Sequence, residues 1–264
     1  MIDFDASTIT QALSNNLDFA IREYESQRFY YAAKFAQYAL AQDPDEGRAW
    51  QILGRALLRR GQLQDGIEAL EHASLLIPLD WETRIDLATA YGGIGRKSLS
   101  RDLLMTAATS GGLDEAQLLR IAASLEAVDE PVLAMEACRQ AGLVAPDAAQ
   151  VHYQMGYYAS LCGYPTSVTE ALIRRAVDLE PESVHYRIGL TSLLVRLDRP
   201  TEALAVVSSV IPSQLDQITC QCCLKRIATL FFDCDQPDLA RQCAQRLQDV
   251  RQSTSSAADS AVHH

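Results

Sequence analysis

The most reactive side chains of this 264-residue chain are its seven cysteines, five of which lie towards the C-terminal end. These five are Cys220, Cys222, Cys223, Cys234 and Cys243. Cys220 and Cys223 are three residues apart, so on a helix they would share a face, with Cys234 beside the following turn. Thiolates in such an arrangement can hold a metal ion. No pair of CxxC motifs with zinc-finger spacing occurs, however, and no histidine lies nearby in sequence, so ordinary buried thiols are the favoured interpretation. We predict no metal and no cofactor, and keep a metal- or redox-responsive cluster as the less favoured alternative.

Two other kinds of chemistry can be weighed from short motifs. The segment YGGIGRKS (91–98) partly matches a phosphate-binding loop, but that loop needs a glycine directly before the lysine, and here Arg96 precedes Lys97. We interpret Gly95 as a turn residue instead. His72, His152 and His185 are far apart, and no HExxH, GxSxG or EF-hand motif occurs in the sequence. We therefore predict no catalytic residues and no enzyme activity.

The elements that position these residues are predicted to be helices arranged as a repeat. Glycine and proline are few, and long runs rich in Ala, Leu, Gln, Glu and Arg indicate an all-α chain. Pro44 and Pro78 are 34 residues apart, Pro146 follows 68 residues later, and Pro181 another 35. An internal period near 34 residues is typical of a helical solenoid.

Residues 47–80 show the side-chain pattern of one repeat. Large apolar residues, small residues and a proline lie at fixed positions counted from Gly47. They are Trp50, Leu53, Gly54, Leu57, Gly66, Leu70, Ala73 and Pro78, at positions 4, 7, 8, 11, 20, 24, 27 and 32. The small residues let two helices approach closely, the large ones fill the space between them, and the proline ends the second helix. This pattern resembles the tetratricopeptide repeat (TPR).

The resemblance implies a right-handed superhelical α-solenoid of antiparallel helix pairs. We predict one continuous TPR-like solenoid over residues 1–251, because each hairpin buries its apolar face only by stacking on its neighbours. Its seven repeats are predicted at about 13–46, 47–80, 81–114, 115–148, 149–183, 184–217 and 218–251, with the looser matches in the last three. The segment 252–264 is small and polar, and we expect a disordered tail there.

TPR proteins bind extended peptides or helices along the concave face formed by the first helix of each repeat. The resemblance therefore predicts a peptide-binding groove lined by the following residues: Leu17, Ile21, Tyr24, Arg48, Gln51, Arg55, Arg59, Tyr153 and Tyr157. The three arginines lie at helical spacing and could bind carboxylates, or they could be neutralised by acidic residues of neighbouring repeats. The aromatic residues could anchor a partner, or belong to the core.

Charge and composition restrict the partner and the compartment. A net charge of −11 argues against nucleic acid, because phosphate contacts need a basic surface. The sequence starts without a secretory signal and contains no long apolar run, so we expect no membrane partner. An odd number of cysteines without a signal suggests free thiols and a cytoplasmic location.

The predicted function is a non-enzymatic protein–protein interaction scaffold, an adaptor or chaperone-like protein. We expect its groove to hold a peptide or helix segment from a partner protein, with acidic character. The residues of the carboxylate clamp found in some TPR domains do not occur in three consecutive repeats, which argues against a clamp-type chaperone co-factor. The alternative is self-assembly into a structural homo-oligomer.

Overall fold

The computed structural model describes the backbone of residues 6–208 and 213–261, and the side chains of residues 16–208 and 213–252. Over these ranges the chain forms fourteen α-helices, one short 3-10 helix and no β-strand. The helices are α1 (Ala6–Glu25), α2 (Phe29–Gln42), α3 (Gly47–Arg59), α4 (Leu63–Leu76), α5 (Trp81–Gly93), α6 (Lys97–Thr109), α7 (Glu115–Ala127), α8 (Pro131–Val144), α9 (Ala149–Leu161), α10 (Thr166–Leu179), α11 (Val184–Arg196), α12 (Pro200–Ser208), α13 (Gln221–Asp233) and α14 (Pro237–Ala261). The 3-10 helix spans Leu215–Gln217, before α13. The prediction of an all-α chain built from helix pairs is confirmed.

Consecutive helices pair into seven hairpins within the described ranges. Helices α3, α5, α7, α9 and α11 begin at the residues where the second to sixth repeats were predicted to begin. Helix α1 begins earlier than the first predicted repeat, at Ala6, and α13 begins at Gln221, after the 3-10 helix.

All seven hairpin turns share one backbone feature. The turn contains a residue with a left-handed conformation: Gln27, Gly61, Gly95, Asp129, Gly163, Asp198 or Asp235, each with φ between 55° and 82°. Glycine adopts this conformation without steric cost, and aspartate tolerates it better than most residues. Gly95 is therefore a hairpin-turn residue between α5 and α6, as the sequence predicted, and not part of a phosphate-binding loop.

The second hairpin shows why small residues recur at fixed positions. Helices α3 and α4 cross so closely that a Cβ atom on Gly54 would lie 2.6 Å from Leu70 Cγ and 2.9 Å from the Gly66 carbonyl oxygen. Leu70 is fully buried at this crossing. Acidic side chains begin the following helices: Asp80 accepts a hydrogen bond from the Thr83 amide at the start of α5.

The chain divides into two compact units, residues 1–144 and 145–264. The first unit contains the four hairpins from α1 to α8, and the second contains the three from α9 to α14. The core of the second unit is built around Leu190, Leu194, Leu224, Ile227 and Phe231. A single continuous solenoid across both units stays a prediction.

The last helix extends into the C-terminal segment. Helix α14 runs to Ala261, across most of the segment predicted to be a disordered tail, and residues 262–264 lie outside the described part of the chain. No glycine or proline occurs between Pro237 and Ala261, so no helix-breaking residue ends the helix earlier. Among the described residues, no helix is long and apolar enough to cross a membrane.

Candidate functional site

The predicted arginine strip of the first unit is engaged in ion pairs with neighbouring helices. Arg55 on α3 donates to Asp86 on α5 at 3.0 Å, and Arg59 lies 3.6 Å from the same carboxylate. Arg120 on α7 donates to Glu82 and Asp86, at 2.6 Å each. Two of the three predicted arginines are therefore neutralised by acidic residues of the next hairpin, which is the second of the two interpretations above.

Tyr24 on α1 joins this network from the other side. The Arg55 guanidinium lies 4.9 Å from the centre of the Tyr24 ring. A hydrogen bond to Tyr24 raises the pKa of Arg59, and the charge of Asp86 adds to the effect although partial burial opposes it. Together with Ile21, these three residues line a shallow pocket on the first unit.

The other predicted residues of the first unit lie at the margins of this network. Gln51 donates to Asp80 at 2.6 Å and to Thr83 at 2.9 Å, so it links α3 to the start of α5. Leu17 is half-buried on α1 and Arg48 is exposed at the start of α3. Their role in peptide binding stays a prediction.

A larger cavity lies in the second unit and contains the two predicted tyrosines. Its volume is about 650 Å³, within the range of small-molecule and side-chain pockets. The inner faces of α9, α11 and α13 form its walls, with parts of α10 and the segment before α13. We call it the second-unit groove. The residues that line it include Tyr153, Tyr157, Thr169, Ile173, Glu182, His185, Ile188, Gly189, Ser192, Leu193, Arg196, Cys220, Cys223 and Arg226.

Glycine on α11 shapes one wall of the second-unit groove. A Cβ atom on Gly189 would lie 2.4 Å from Tyr153 Cε2 and 2.5 Å from its Oη atom, so the ring of Tyr153 packs directly on the α11 backbone. The Tyr153 ring also lies 4.6 Å from the His185 ring and 5.1 Å from the Tyr186 ring, centre to centre. Tyr153 is therefore partly core, whereas Tyr157 is 42% exposed.

The second-unit groove combines an apolar wall with unpaired basic groups. Ile173, Ile188 and Leu193 are buried and line it. Arg196 and Arg226 line it too, and neither forms an ion pair with any residue that the structure describes. Two arginines beside an apolar cavity suit a ligand with an apolar side chain and a carboxylate.

Polar groups inside the second-unit groove lack partners of their own. The hydroxyl oxygens of Thr169 and Ser192 are buried and form no hydrogen bond with the described residues. Thr169 is only 2% exposed. A buried hydroxyl without a partner is costly, so both groups are available to a ligand or to water.

Burial also changes the titration of the groove residues. It lowers the pKa of His185, so the neutral imidazole is favoured. It raises the pKa of Tyr153, with a further contribution from the charge of Cys223.

The sequence interpretation missed most of this groove, although the necessary signal was present. The rule that picked Arg48, Gln51, Arg55 and Arg59 uses positions 2, 5, 9, 12 and 13 of a repeat. Applied to the repeat that begins at Val184, these positions are His185, Ile188, Ser192, Val195 and Arg196. All of them except Val195 line the second-unit groove.

The cysteine cluster has a different membership from the one expected. Cys220, Cys222 and Cys223 bring their sulfur atoms within 4.8 Å of one another, whereas Cys234 lies at the opposite end of α13. Cys220 and Cys223 line the second-unit groove. All seven cysteines are free thiols, and Cys138 and Cys243 are buried in the core as ordinary apolar residues.

Comparison with known proteins identifies the fold. No protein-family model and no curated protein matches the chain. Among solved structures, a MamA crystal structure matches 67% of this chain and 96% of its own length, with 18% identity and a TM-score of 0.56. MamA from Desulfovibrio magneticus RS-1 (residues 41 to the end) matches 62% of this chain and 93% of its own, with 19% identity and a TM-score of 0.53.

A further solved structure that matches is YrrB, described as a TPR protein with an unusual peptide-binding site. It covers 69% of this chain and 96% of its own length, with 15% identity and a TM-score of 0.55. The chain therefore has the fold of a TPR-type protein, an α-solenoid of helix pairs. At this level of identity the likeness concerns the fold.

Proposed function

We propose that this protein is a non-enzymatic interaction scaffold whose second-unit groove binds a segment of a partner protein. The observation that supports it most is the pairing of an apolar cavity with Arg196 and Arg226, which have no acidic partner among the described residues. A TPR-type fold presents such inner faces without needing a reactive centre. YrrB, with the same type of fold, is described as having a peptide-binding site.

The apolar part of the ligand is expected to enter between α9 and α11. Ile173, Ile188 and Leu193 offer aliphatic surface there, and Tyr157 stands exposed at the edge of the cavity. A volume of about 650 Å³ admits one or two large side chains. A leucine or aromatic residue is therefore the expected anchor.

The acidic part of the ligand is expected to face the two arginines. Glu182 is the only carboxylate among the described residues that line the groove, so the local charge is positive although the chain carries −11. Guanidinium groups bind carboxylates in a two-pronged geometry. We therefore expect the acidic partner at the second unit, since Arg55 and Arg59 of the predicted groove in the first unit are already paired.

A selection experiment tests this proposal with a defined probe. A displayed library of ten-residue peptides is selected on the full-length protein, and the enriched peptides are titrated against it by fluorescence anisotropy. We expect enrichment of peptides in which a leucine or aromatic residue lies within a few positions of Asp or Glu. The double variant Arg196→Glu/Arg226→Glu should then lower the affinity by about tenfold or more, equivalent to at least about 1.4 kcal/mol.

The matched control is Arg48→Glu, which reverses an exposed charge of the predicted groove in the first unit. It should leave the affinity for the enriched peptides within about twofold. Enrichment without an acidic residue, or equal losses in both variants, would overturn the assignment to the second-unit groove.

Self-assembly is the second candidate, and a separate surface favours it. Phe19 on α1 stacks on Phe35 of α2 at 5.4 Å, and Tyr38 packs against Phe35 at 6.2 Å. Phe19 and Tyr38 are 45% and 47% exposed, on a hairpin with only one neighbouring hairpin among the described residues. Such a surface could stack on a second copy of the chain. Light scattering after size exclusion should then give a dimer that Phe19→Ser/Tyr38→Ser converts to a monomer; a monomeric starting protein would exclude it.

A further inference from the structure

Three thiols meet at the start of helix α13, a feature that peptide binding does not require. The sulfur atoms of Cys220, Cys222 and Cys223 all lie within 4.8 Å of one another. Cys220 and Cys222 are exposed and Cys223 is half-buried, so an ion can reach the cluster from solvent. This density of soft ligands within four residues distinguishes the segment from the buried thiols of the core.

The helix terminus favours negative charge on these sulfurs. Cys220 caps α13, and its sulfur accepts a hydrogen bond from the Cys223 amide at 3.4 Å. The positive end of the helix dipole acts in the same direction. Arg226, one turn further along α13, has no ion pair with any described residue.

We propose that Cys220, Cys222 and Cys223 bind one thiophilic metal ion of the Zn²⁺ or Cu⁺ class through three thiolates. This inference goes beyond the proposed function and does not depend on it. The thiols would release their protons to the buffer as the ion binds, with no change of oxidation state. A fourth position on Zn²⁺ would be left for water or another donor, whereas Cu⁺ would be satisfied by the sulfurs alone.

The geometry suits such an ion after small side-chain adjustments. A metal–sulfur distance of about 2.3 Å places neighbouring sulfurs about 3.7–4.0 Å apart in a tetrahedral or trigonal site. The observed upper limit of 4.8 Å is close to this, and the Cys220 and Cys222 sulfurs, now 2.7 Å apart, would have to separate. Both side chains are exposed, so rotation about χ1 meets little resistance.

Proton release provides a signature that a surface-bound ion would lack. Ordinary thiols are mostly protonated at neutral pH, so a metal ion that binds these cysteines as thiolates must displace protons. The apparent affinity should rise with pH, and calorimetry in buffers of different ionisation enthalpy should detect the released protons.

The test uses the full-length reduced protein after dialysis against a chelator. Zn²⁺ and, anaerobically, Cu⁺ are titrated in separate experiments, and Cd²⁺ is used as a spectroscopic probe of the number of thiolates bound. We expect one ion per chain and a Cd²⁺ charge-transfer band whose intensity corresponds to three thiolates. Cys220→Ser/Cys222→Ser should lower the affinity by more than about a hundredfold, since loss of outer-shell contacts alone costs about 10–100-fold.

The control variant is Cys162→Ser/Cys234→Ser, which also removes two thiols, both half-buried and outside the cluster. It should bind the ion with unchanged affinity. Both variants retain His263 and His264, so any metal binding by these two residues is the same in each. Thermal unfolding of both variants checks that they fold. Affinity that survives in the cluster variant, or fewer than one ion per chain in the unchanged protein, would overturn the proposal. Peptide binding is measured on the metal-free protein, so a negative result of the metal titration would leave the peptide-binding proposal standing.

Discussion

The contact between Gly189 and Tyr153 provides a sharp test of the groove geometry through the substitution Gly189→Ala. The added Cβ atom would lie 2.4 Å from Tyr153 Cε2, so the ring must move by about 1 Å to restore an ordinary contact. Overpacking of this kind costs about 1–3 kcal/mol. Alanine gains about 1 kcal/mol over glycine in a helix, so we expect a net loss of about 0–2 kcal/mol of unfolding free energy.

The cost of overpacking and the gain in helix propensity nearly cancel, so a double-mutant cycle is needed to separate them. Gly189→Ala is measured by urea denaturation in the unchanged protein and in a Tyr153→Ala background. Without the ring the added methyl group meets no obstacle, so the same substitution should become stabilising by up to about 1 kcal/mol. The expected coupling between the two positions is thus about 1–3 kcal/mol.

The refuting result is an equal effect of Gly189→Ala in both backgrounds. That outcome would mean that the Tyr153 ring does not pack on the α11 backbone, and the described wall of the groove would be wrong. The displaced ring should also occupy part of the cavity, so the variant is expected to bind selected peptides more weakly.

Three further predictions concern packing and charge. Gly54→Ala should destabilise the protein by about 1–2 kcal/mol in urea denaturation, because its Cβ would lie 2.9 Å from a backbone carbonyl that cannot rotate away. Asp86→Asn should cost about 1–3 kcal/mol by the same assay, because this 10%-exposed carboxylate is paired with arginines from two neighbouring helices. Glu170→Gln should destabilise the protein at pH 7 and lose this effect in acid. The reason is that the pKa of Glu170 lies below its ordinary value of 4.5, because hydrogen bonds from Arg199 and Arg174 outweigh the opposing effect of partial burial.

An exposed carboxylate provides the control for Asp86→Asn, and the direction of the pH dependence provides the check on Glu170→Gln. Asp102→Asn removes a carboxylate that is 66% exposed and should change the stability by less than about 0.5 kcal/mol. If Asp86→Asn changed the stability as little as Asp102→Asn, the description of the arginine network would be contradicted. For Glu170, the stabilisation is present above pH 4.5 and disappears as the pH falls through its lowered folded-state pKa. A difference between Glu170→Gln and the unchanged protein that grows on acidification would contradict this account.

The repeat could be predicted from sequence because its pattern is dictated by local packing. Gly54, Gly66 and Leu70 lie where two helices must cross closely, and only small residues fit beside the crossing. The starts of α3, α5, α7, α9 and α11 coincide with the repeat starts predicted from the same pattern. The exceptions lie where that pattern is interrupted: a 3-10 helix intervenes before Gln221, and α14 continues beyond the last repeat because no glycine or proline ends it.

The candidate site was harder to predict because side-chain pairing depends on neighbouring repeats. Nothing in the local sequence around Arg55 indicates that Asp86, 31 residues later, accepts its hydrogen bond. Arg196 and Arg226, which form no ion pair with a described residue, line the second-unit groove instead. The position of Arg226 did not follow from the repeat pattern, because a 3-10 helix precedes α13 and delays its start to Gln221. The approach of Cys222 to Cys220 was also not predicted, because the chain has to turn into α13 before their sulfur atoms can come close.

Hydrogen–deuterium exchange on the complex with a selected peptide tests the central claim most directly. The claim is that the partner segment binds along the inner faces of α9, α11 and α13. We predict slower exchange in segments 153–161, 185–196 and 220–226 when the peptide is bound, and unchanged exchange in α3 and α5. Protection confined to α1 and α3, around Tyr24 and Arg55, would contradict the account and return the binding site to the first unit.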